Sequence, residues 1–418
     1  MSGLDAHADR HLVRVPGPVN AHSHAFHRIL RGRTHEGAAG GAGDFWTWRE
    51  QMYAAADRLD PAGYEQLATA VFVEMAVTGW TAVGEFHYLH HGPGGTVYPD
   101  HDMERAVARA ARAAGIRLVL LDTCYLSGGL DAAGNPVELN ETQLRFSDGD
   151  AAGWANRHTA LRAALAAEEP ASASEGAGLV TLGAAIHSVR AVPPAALEVI
   201  ATTLEPGEPL HVHLSEQPAE NEACLAAHGL TPTALLAEHG LLTDRLSAVH
   251  ATHLTGADIA SLGEARCSIV MCPTTEADLA DGIGPARELA DAGATISLGT
   301  DQHAVVDPYL EMRALEHGER LRTGIRGRFS PAELAAASRE GGLRSLGLAE
   351  NDDHILLDTA SLRTAGSREA QLPLTATAAD VHAVVINGVE VARDGIHTRF
   401  GDPAALFREF TSEHREFA

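Results

Sequence analysis

Eight short runs of apolar and β-branched residues alternate along this chain with longer stretches that are rich in Ala and Leu and have a helical period. The runs span residues 19–24, 81–86, 117–124, 179–186, 209–214, 246–250, 268–272 and 295–299. The helical stretches include residues 61–77, 102–114, 194–203, 230–239, 256–262 and 285–292. Eight such units predict an α/β protein built as a (β/α)8 TIM barrel, in which functional side chains lie at the C-terminal ends of the strands.

Two insertions and the C-terminal end depart from this alternation. Residues 31–58 are Gly-rich and then aromatic, residues 126–149 are rich in turn formers, and both are long enough to cover the barrel mouth. Further short strands, with a hairpin turn at Asn387-Gly388, predict a small β appendage. The predicted division is an N-terminal segment that can join the small β domain, a catalytic barrel, and a C-terminal appendage with a tail, at residues 1–18, 19–352 and 353–418.

The charged residues exclude several functions. The chain of 418 residues has 31 basic and 56 acidic side chains, a formal charge of −25, and its basic residues are all Arg. Phosphate backbones and anionic membranes repel a protein with this much negative charge. We therefore expect neither nucleic acid nor a membrane as a partner. The absence of lysine excludes Schiff-base chemistry, a P-loop lysine and a carboxylated lysine that bridges two metals.

Neither the apolar runs nor the cysteines indicate export. No apolar run approaches the roughly 20 residues that span a bilayer, and the first 15 residues lack the pattern of a secretion signal. The four cysteines are too few and too far apart for a disulfide framework. We therefore expect a soluble, cytoplasmic protein with reduced, buried thiols.

Histidines mark the ends of three predicted strands. His22 and His24 close the first strand, where residues two apart point to one face and can share a metal. His213 closes the fifth strand, and Glu216 follows three residues later. Glu216 can turn back over the metal as a proton-transfer group only if the strand ends near Leu214.

The sixth and eighth strands supply two more polar residues. His250 ends the sixth strand, and Asp301 lies just after the eighth. Three imidazoles and a carboxylate with one open coordination position suit a catalytic Zn²⁺, which lowers the pKa of a bound water to about 7. We assign structural or supporting roles to the neighbouring histidines His211, His253 and His303.

Each of these residues has a structural alternative. The histidines at the strand ends can be hydrogen-bonded residues of the barrel interior. Asp301 can be a helix N-cap, and Glu216 can be a solvated carboxylate. The remaining histidines are expected at the surface, for example His7, His11, His35 and His397.

Together these residues resemble the amidohydrolase superfamily, in its mononuclear zinc deaminase branch, and more narrowly the formimidoylglutamate deiminase family. The resemblance covers nearly the whole chain. The matching motifs, with their first residues, are N-A-H-S-H-A-F (Asn20), F-W-T-W-R-E (Phe45), E-F-H-Y-L-H-H (Glu85), A-I-H-S-V-R-A-V (Ala185), H-V-H-L-S-E-Q (His211), V-H-A-T-H-L (Val249) and C-P-T-T-E-A (Cys272).

The resemblance implies a metal site and a reaction. It makes His22, His24, His213 and Asp301 the ligands of one Zn²⁺ per subunit, and the absence of lysine agrees with one metal. Asp301 and His250 would orient and deprotonate a water, and Glu216 would carry the proton to the departing nitrogen. The implied reaction, a step of histidine degradation, converts N-formimino-L-glutamate and water into N-formyl-L-glutamate and ammonia.

The implied substrate carries two carboxylates and a cationic amidine. By similarity, Arg190 and His187 would hold one carboxylate, and Arg49 and Tyr88 the other, because the Arg fork suits carboxylates. Alternatively, the arginines form surface ion pairs and Tyr88 serves only in packing. The resemblance also implies a homodimer.

Two positions depart from the family pattern. His27 stands where the family has a Gln that contacts substrate, and Gln302 stands where a Ser is usual. His27 can still donate a hydrogen bond to a carboxylate, but both changes bear on substrate specificity.

Two other functions remain open at this point. A related one-metal deaminase or hydrolase acting on a purine, pterin or triazine ring needs a stacking surface in place of two arginines. A non-catalytic zinc-binding or ligand-binding barrel has no need of a proton shuttle such as Glu216.

Overall fold

Eight parallel strands form the central sheet of the structure, a computed structural model that describes residues 11–34, 45–172 and 176–417. In chain order the strands are β1 (Leu12–Pro16), β2 (Val19–Ser23), β3 (Ala82–His87), β4 (Arg117–Cys124), β5 (Gly129–Leu130), β6 (Pro136–Val137), β7 (Val180–Ile186), β8 (Leu210–Leu214), β9 (Leu246–His250), β10 (Ser268–Met271), β11 (Thr295–Leu298), β12 (His354–Asp358), β13 (Val381–Ile386), β14 (Val389–Arg393) and β15 (Ile396–His397).

Helices follow most of the barrel strands. They are α1 (Phe45–Ala56), α2 (Pro61–Thr78), α3 (Asp102–Ala114), α4 (Ala151–Ala167), α5 (Pro194–Thr203), α6 (Pro218–His228), α7 (Pro232–Glu238), α8 (Gly256–Glu264), α9 (Pro273–Asp278), α10 (Ala286–Ala292), α11 (Pro308–Thr323), α12 (Pro331–Ala336), α13 (Gly342–Ser345), α14 (Leu372–Thr375) and α15 (Pro403–Glu413). Among the described residues, no helix is both long and apolar enough to cross a bilayer.

The eight strands of the central sheet pair in the order β2, β3, β4, β7, β8, β9, β10 and β11. The two end strands meet at their carboxyl ends. There the backbone nitrogen of Thr300 donates to the His22 carbonyl at 3.0 Å, and that of His24 donates to the Asp301 carbonyl at 3.1 Å. The predicted barrel and its eight strands are thus confirmed, and the closure places strand ends one and eight side by side.

A second sheet of five antiparallel strands lies in the order β1, β12, β13, β14 and β15. Its edge strand β1 comes from the N-terminal segment, where Val13 pairs with Leu357 of β12. Asn387 and Gly388, with φ of +53° and +76°, form the predicted two-residue hairpin turn between β13 and β14. The division into 1–18, 19–352 and 353–418 stays a prediction.

The two long insertions contact each other above the carboxyl ends of the strands. The first contains α1, and Gln143 of the second donates through its side-chain amide to the hydroxyl of Tyr53 at 3.1 Å. Arg145 of the second insertion is fully buried, and its guanidinium donates to the carbonyls of His91, at 2.9 Å, and Leu59, at 2.6 Å. These bonds hold the C-terminal end of α1 over the barrel.

The prediction that His397 lies at the surface is wrong. It is 3 % exposed at the end of β15, and its Nε2 lies 3.0 Å from the carbonyl oxygen of Ala114. The C-terminal sheet packs against the barrel helices, so a histidine outside the barrel is buried at that contact. His7 and His35 lie outside the described residues.

Candidate active site

Four buried side chains converge at the carboxyl ends of the barrel strands. His22 Nε2 and His24 Nε2, from the end of β2, each lie 3.3 Å from the Nε2 of His213, which is on β8. Both also lie 3.4 Å from Oδ1 of Asp301, which follows β11. The first, fifth and eighth strands therefore bring together the four residues that the sequence selects as metal ligands.

The spacing of these donor atoms fits a metal ion. Neighbouring ligand atoms that each lie about 2.0–2.1 Å from a zinc ion are about 3 Å apart, close to the separations of 3.3 and 3.4 Å between these atoms. Burial, followed by the charge of His22, lowers the pKa of His24 to about 3, so its imidazole is neutral. His24 Nδ1 lies 2.8 Å from the Phe86 carbonyl oxygen, to which it donates, and this leaves Nε2 with a free electron pair.

Local backbone features bring Asp301 to this position. An added Cβ on Gly299 would lie only 2.8 Å from the Cβ of His22, so a larger residue there would push the two strands apart. The Asn20 side chain makes two hydrogen bonds with Thr300. Its amide nitrogen donates to the Thr300 hydroxyl at 2.7 Å, and its amide oxygen accepts from the Thr300 backbone nitrogen at 3.0 Å. Asp301 itself has φ of +44°, a conformation that non-glycine residues adopt rarely and mostly at functional sites.

The chain turns sharply between His213 and Glu216. Strand β8 ends at Leu214, as the sequence argument requires, and Ser215 has φ of +52°. Glu216 is therefore buried beside the ligand cluster, with its Oε1 3.7 Å from Nε2 of His250. Burial raises the pKa of Glu216 to about 7, against the opposing charge of His250, so that it can exchange a proton near neutral pH.

His250 lies beside Glu216, at the end of β9, and its φ is +67°. Its Nε2 is 3.9 Å from Oδ2 of Asp301, and its Nδ1 is 3.4 Å from Oε1 of Glu276. Burial disfavours the protonated ring, but the carboxylates of Glu216, Glu276 and Asp301 outweigh it and raise the pKa of His250 to about 10. The His250 ring thus lies among three carboxylates.

Three residues of the cluster, His24, His213 and Asp301, line a pocket that contains every predicted substrate-binding residue. The lining side chains are His24, His27, Trp48, Arg49, Met52, Tyr53, Tyr88, Tyr125, Phe146, His187, Arg190, His213, Glu216, His250, Leu279 and Asp301. Four of them, including Arg49, lie on one face of α1. Arg190 follows β7 and is partly buried, with an 18 % exposed side chain. The pocket therefore has a carboxylate-rich end at the metal ligands and two arginines elsewhere in its wall.

The two positions that depart from the family pattern differ in their orientation. His27 lines the pocket, and its Nε2 lies 2.8 Å from the Tyr88 hydroxyl. The Gln302 side-chain amide instead donates to Asp278 at 2.8 Å and is not among the lining residues. Of the two departures, only His27 is placed to contact a substrate.

The three histidines with predicted supporting roles bond to neighbouring backbone or side-chain groups. His211 Nε2 lies 2.9 Å from the Ser345 carbonyl, and His253 Nε2 lies 2.8 Å from the Asp281 carbonyl. His303 bridges the Ser23 hydroxyl, at 3.1 Å, and the Thr300 hydroxyl. Their assignment to supporting roles stays a prediction.

A further group of His and Glu side chains lies outside this pocket. His87, His90 and Glu104 are close enough to hold a metal, but His90 Nδ1 is only 2.7 Å from Oε1 of Glu104. Arg157 donates to the same oxygen at 3.0 Å and to Asp122 at 2.6 Å. A guanidinium already neutralises this carboxylate, so the group is better described as a buried ion-pair network.

Sequence reasoning missed two residues that support the site. Glu276 follows β10, a strand to which the sequence assigned no function, although its motif C-P-T-T-E-A was recognised. Glu85 accepts a hydrogen bond from the Ser23 hydroxyl at 2.5 Å and from the backbone nitrogen of Ala25 at 2.6 Å, on either side of His24. Glu85 lies within β3 and Glu276 lies in the helix that follows β10, and both belong to motifs that were recognised, E-F-H-Y-L-H-H and C-P-T-T-E-A. Those motifs are the signal that could have identified them.

Comparison with known proteins matches residues 13–355 of this chain to a model of the amidohydrolase family. The chain belongs to the amidohydrolase family. Its relatives include the formimidoylglutamate deiminase of Pseudomonas aeruginosa, which is 38 % identical over 345 residues, or 80 % of this chain and 72 % of that protein. The resemblance stated from the sequence is confirmed, and the chain is an enzyme, a hydrolase acting on a C–N bond.

Other relatives agree with this placement. The 8-oxoguanine deaminase of Pseudomonas aeruginosa is 29 % identical, covering 93 % of this chain and 84 % of that protein. The crystal structure of an amidohydrolase from Brucella melitensis superposes with a TM-score of 0.84 at 31 % identity, covering 97 % of this chain and 90 % of that one. An adenosine deaminase from Xanthomonas campestris with bound zinc shares the fold, with a TM-score of 0.78 at 23 % identity and coverage of 97 % and 86 %.

Proposed function

We propose that this enzyme hydrolyses N-formimino-L-glutamate to N-formyl-L-glutamate and ammonia. The observation that carries the proposal is the presence of Arg49 and Arg190 in the pocket that His24, His213 and Asp301 also line. In a chain of charge −25, two arginines in one pocket suit an anionic substrate, and Arg190 Nε lies 3.8 Å from Oε1 of Glu220, so a substrate carboxylate would share it. The relative in Pseudomonas aeruginosa named formimidoylglutamate deiminase supports this substrate.

His22, His24, His213 and Asp301 would hold one zinc ion. Zinc bound there lowers the pKa of a water to about 7 and so supplies a nucleophile at neutral pH. The tautomer of His24, fixed by the Phe86 carbonyl, keeps its Nε2 unprotonated for this role. The zinc identity and the count of one per subunit belong to the proposal.

Glu216 would move the proton that the reaction requires. Water adds to the formimino carbon, and its proton passes to Glu216, whose pKa of about 7 allows it to accept and release protons at neutral pH. Glu216 then protonates the terminal nitrogen, and the C–N bond breaks. The carbon keeps the added oxygen as the formyl C=O, the hydroxyl proton passes to the departing ammonia, and ammonium leaves. His250 and Asp301, 3.9 Å apart, would orient the attacking water.

Arg190 and His187 would bind one substrate carboxylate, and Arg49 with Tyr88 the other. His27, whose Nε2 is 2.8 Å from the Tyr88 hydroxyl, would orient that hydroxyl or donate to the same carboxylate. All five residues line the pocket. Location in the cytoplasm and assembly as a homodimer stay predictions of the sequence.

A ring deaminase is the second candidate, because aromatic side chains also line the pocket. Trp48, Tyr53, Tyr88, Tyr125 and Phe146 offer faces on which a planar heterocycle can stack. The relative named 8-oxoguanine deaminase favours the same alternative.

The two candidates are separated by measuring ammonia release from N-formimino-L-glutamate, N-formimino-L-aspartate, guanine and 8-oxoguanine. We expect N-formimino-L-glutamate to be turned over with the highest kcat/KM, because the two arginines bind two carboxylates best at the correct separation. Turnover of a purine with no activity on N-formimino-L-glutamate would establish the ring deaminase instead.

Replacing Arg190 by Met should raise KM for N-formimino-L-glutamate about 10- to 100-fold, since a hydrogen bond to a charged group contributes about 1.5–3 kcal/mol. This increase in KM is measured by steady-state kinetics with the substrate and with its two monoamide analogues, in each of which one carboxylate is replaced by an amide. The penalty should vanish for the analogue that lacks the carboxylate held by Arg190. The exposed Arg344 supplies the control, and an equal penalty with every analogue would contradict carboxylate binding.

A further inference from the structure

The seventh barrel strand, β10, ends at Met271, just before the motif C-P-T-T-E-A. Helix α9 begins at Pro273, and the side chain of Glu276 turns back toward the barrel, where it is 4 % exposed. Glu276 Oε1 accepts a hydrogen bond from the backbone nitrogen of Cys272 at 2.8 Å. This bond holds the carboxylate at the strand end instead of letting it point to solvent.

The same oxygen of Glu276 lies 3.4 Å from Nδ1 of His250. The other ring nitrogen of His250 faces the reaction centre, 3.7 Å from Glu216 and 3.9 Å from Asp301. His250 is therefore held between a carboxylate that lies outside the pocket wall and two carboxylates that belong to it. An imidazole that donates from Nδ1 to a carboxylate has a defined ring orientation and presents Nε2 to the opposite side.

The backbone at His250 does not define this orientation by itself. His250 and Ala251 both have positive φ, of +67° and +50°. The backbone therefore no longer has strand geometry at His250, and the strand does not dictate the direction of its side chain. The His250 ring lies nearly parallel to the His213 ring, with their centroids 5.8 Å apart. The directional contact at Nδ1 is the one with Glu276.

We infer that Glu276 is a positioning residue that holds the His250 ring toward Glu216 and Asp301. It acts through His250 and lies outside the group of residues that line the pocket. The inference rests on the proposed function, because it assigns Glu276 to the same reaction. It gives strand seven, which supplies none of the predicted catalytic residues, a part in the chemistry.

The substitution Glu276→Gln tests this inference. Glutamine keeps an oxygen that can accept the Cys272 hydrogen bond, but it removes the negative charge that faces His250. We expect kcat to fall about 10- to 100-fold, the usual cost of losing such a partner, with zinc content unchanged. KM and the inhibition constant of N-formyl-L-glutamate should stay within about twofold, because the substrate contacts are intact.

Glu311→Gln is the matched control. Glu311 is also a buried carboxylate and holds the same turn, since its Oε2 accepts from the backbone nitrogen of Thr274 at 3.1 Å. Its variant should keep kcat within about twofold of the wild type. An equal loss in both variants would mean that Glu276 only supports the turn, and would overturn the inference.

A double variant with His250→Asn gives the decisive measurement, made under single-turnover conditions with enzyme in excess. If Glu276 acts through His250, Glu276→Gln should cost less than about twofold in this background. A further loss of about 10-fold or more would show an independent role and overturn the inference, as would wild-type turnover in the single variant.

The proposed function is tested separately by the wild-type enzyme. If the wild type does not act on N-formimino-L-glutamate, that proposal fails, and the same variants are compared on the purine that it does deaminate. The contact between Glu276 and His250 does not involve the substrate, so the expected losses remain the same.

Discussion

Replacing Glu216 by Gln should lower kcat for N-formimino-L-glutamate by roughly 10²- to 10⁴-fold, the range typical for loss of a general acid–base group. The reason is that burial sets the pKa of Glu216 near 7, where it can both accept and donate a proton, whereas an amide can do neither. Coupled ammonia assays measure the loss. KM should change much less, because Glu216 is not among the residues assigned to the substrate carboxylates.

The metal site must survive this substitution for the loss to be chemical. Zinc content, measured by mass spectrometry of the purified protein, should equal that of the wild type, since Glu216 is not one of the four converging ligands. Glu222 lies six residues later on α6 and is exposed, so Glu222→Gln removes the same charge without touching the site. Near-normal ammonia release by Glu216→Gln would contradict its role as proton shuttle.

Replacing His213 by Asn should reduce bound zinc from about one ion per chain to almost none and abolish turnover. His213 Nε2 lies 3.3 Å from both His22 Nε2 and His24 Nε2, so its removal opens one corner of the ligand set. The wild type, stripped with a chelator, should regain activity on titration with zinc, with a break near one equivalent. A break near two equivalents would contradict a one-metal site.

The sequence contains its own control for this experiment. His211 precedes His213 by two residues in H-V-H-L-S-E, but its Nε2 lies 2.9 Å from the Ser345 carbonyl. His211→Asn should therefore lower the thermal midpoint while zinc content stays near one per chain. Loss of zinc in both variants, or in neither, would refute the ligand assignment of His213.

His211 and His213 also show where prediction from the sequence reaches its limit. In a β-strand, residues two apart point to the same side, so alternation alone cannot separate the two histidines. His213 is the penultimate residue of the strand, which ends at Leu214, so it lies close enough to the barrel mouth to meet His22 and His24. His211 lies two residues deeper, where α13 provides the Ser345 carbonyl. Depth in the barrel distinguishes them, and depth depends on packing.

Gln302 gives a second example. The sequence places it next to Asp301 and therefore near the metal, yet its amide bonds to Asp278 and points away from the pocket. Asp301 has φ of +44° and His303 has φ of +61°, so the chain reverses direction around Gln302. Asp and His adopt positive φ more often than most residues, but whether a given one does so is decided by its surrounding contacts.

The sequence by itself determined the number of barrel strands and the strand ends at which the candidate site residues lie. These follow from local periodicity and residue type, which do not depend on distant parts of the chain. The anionic substrate was implied by the family resemblance and not by the charge, and it belongs to the proposed function. Only the tertiary structure decided how close His22 and Asp301 come, because that contact arises where β2 and β11 close the barrel. It also decided that Glu276 reaches His250, because the turn after β10 directs its carboxylate across to the neighbouring strand.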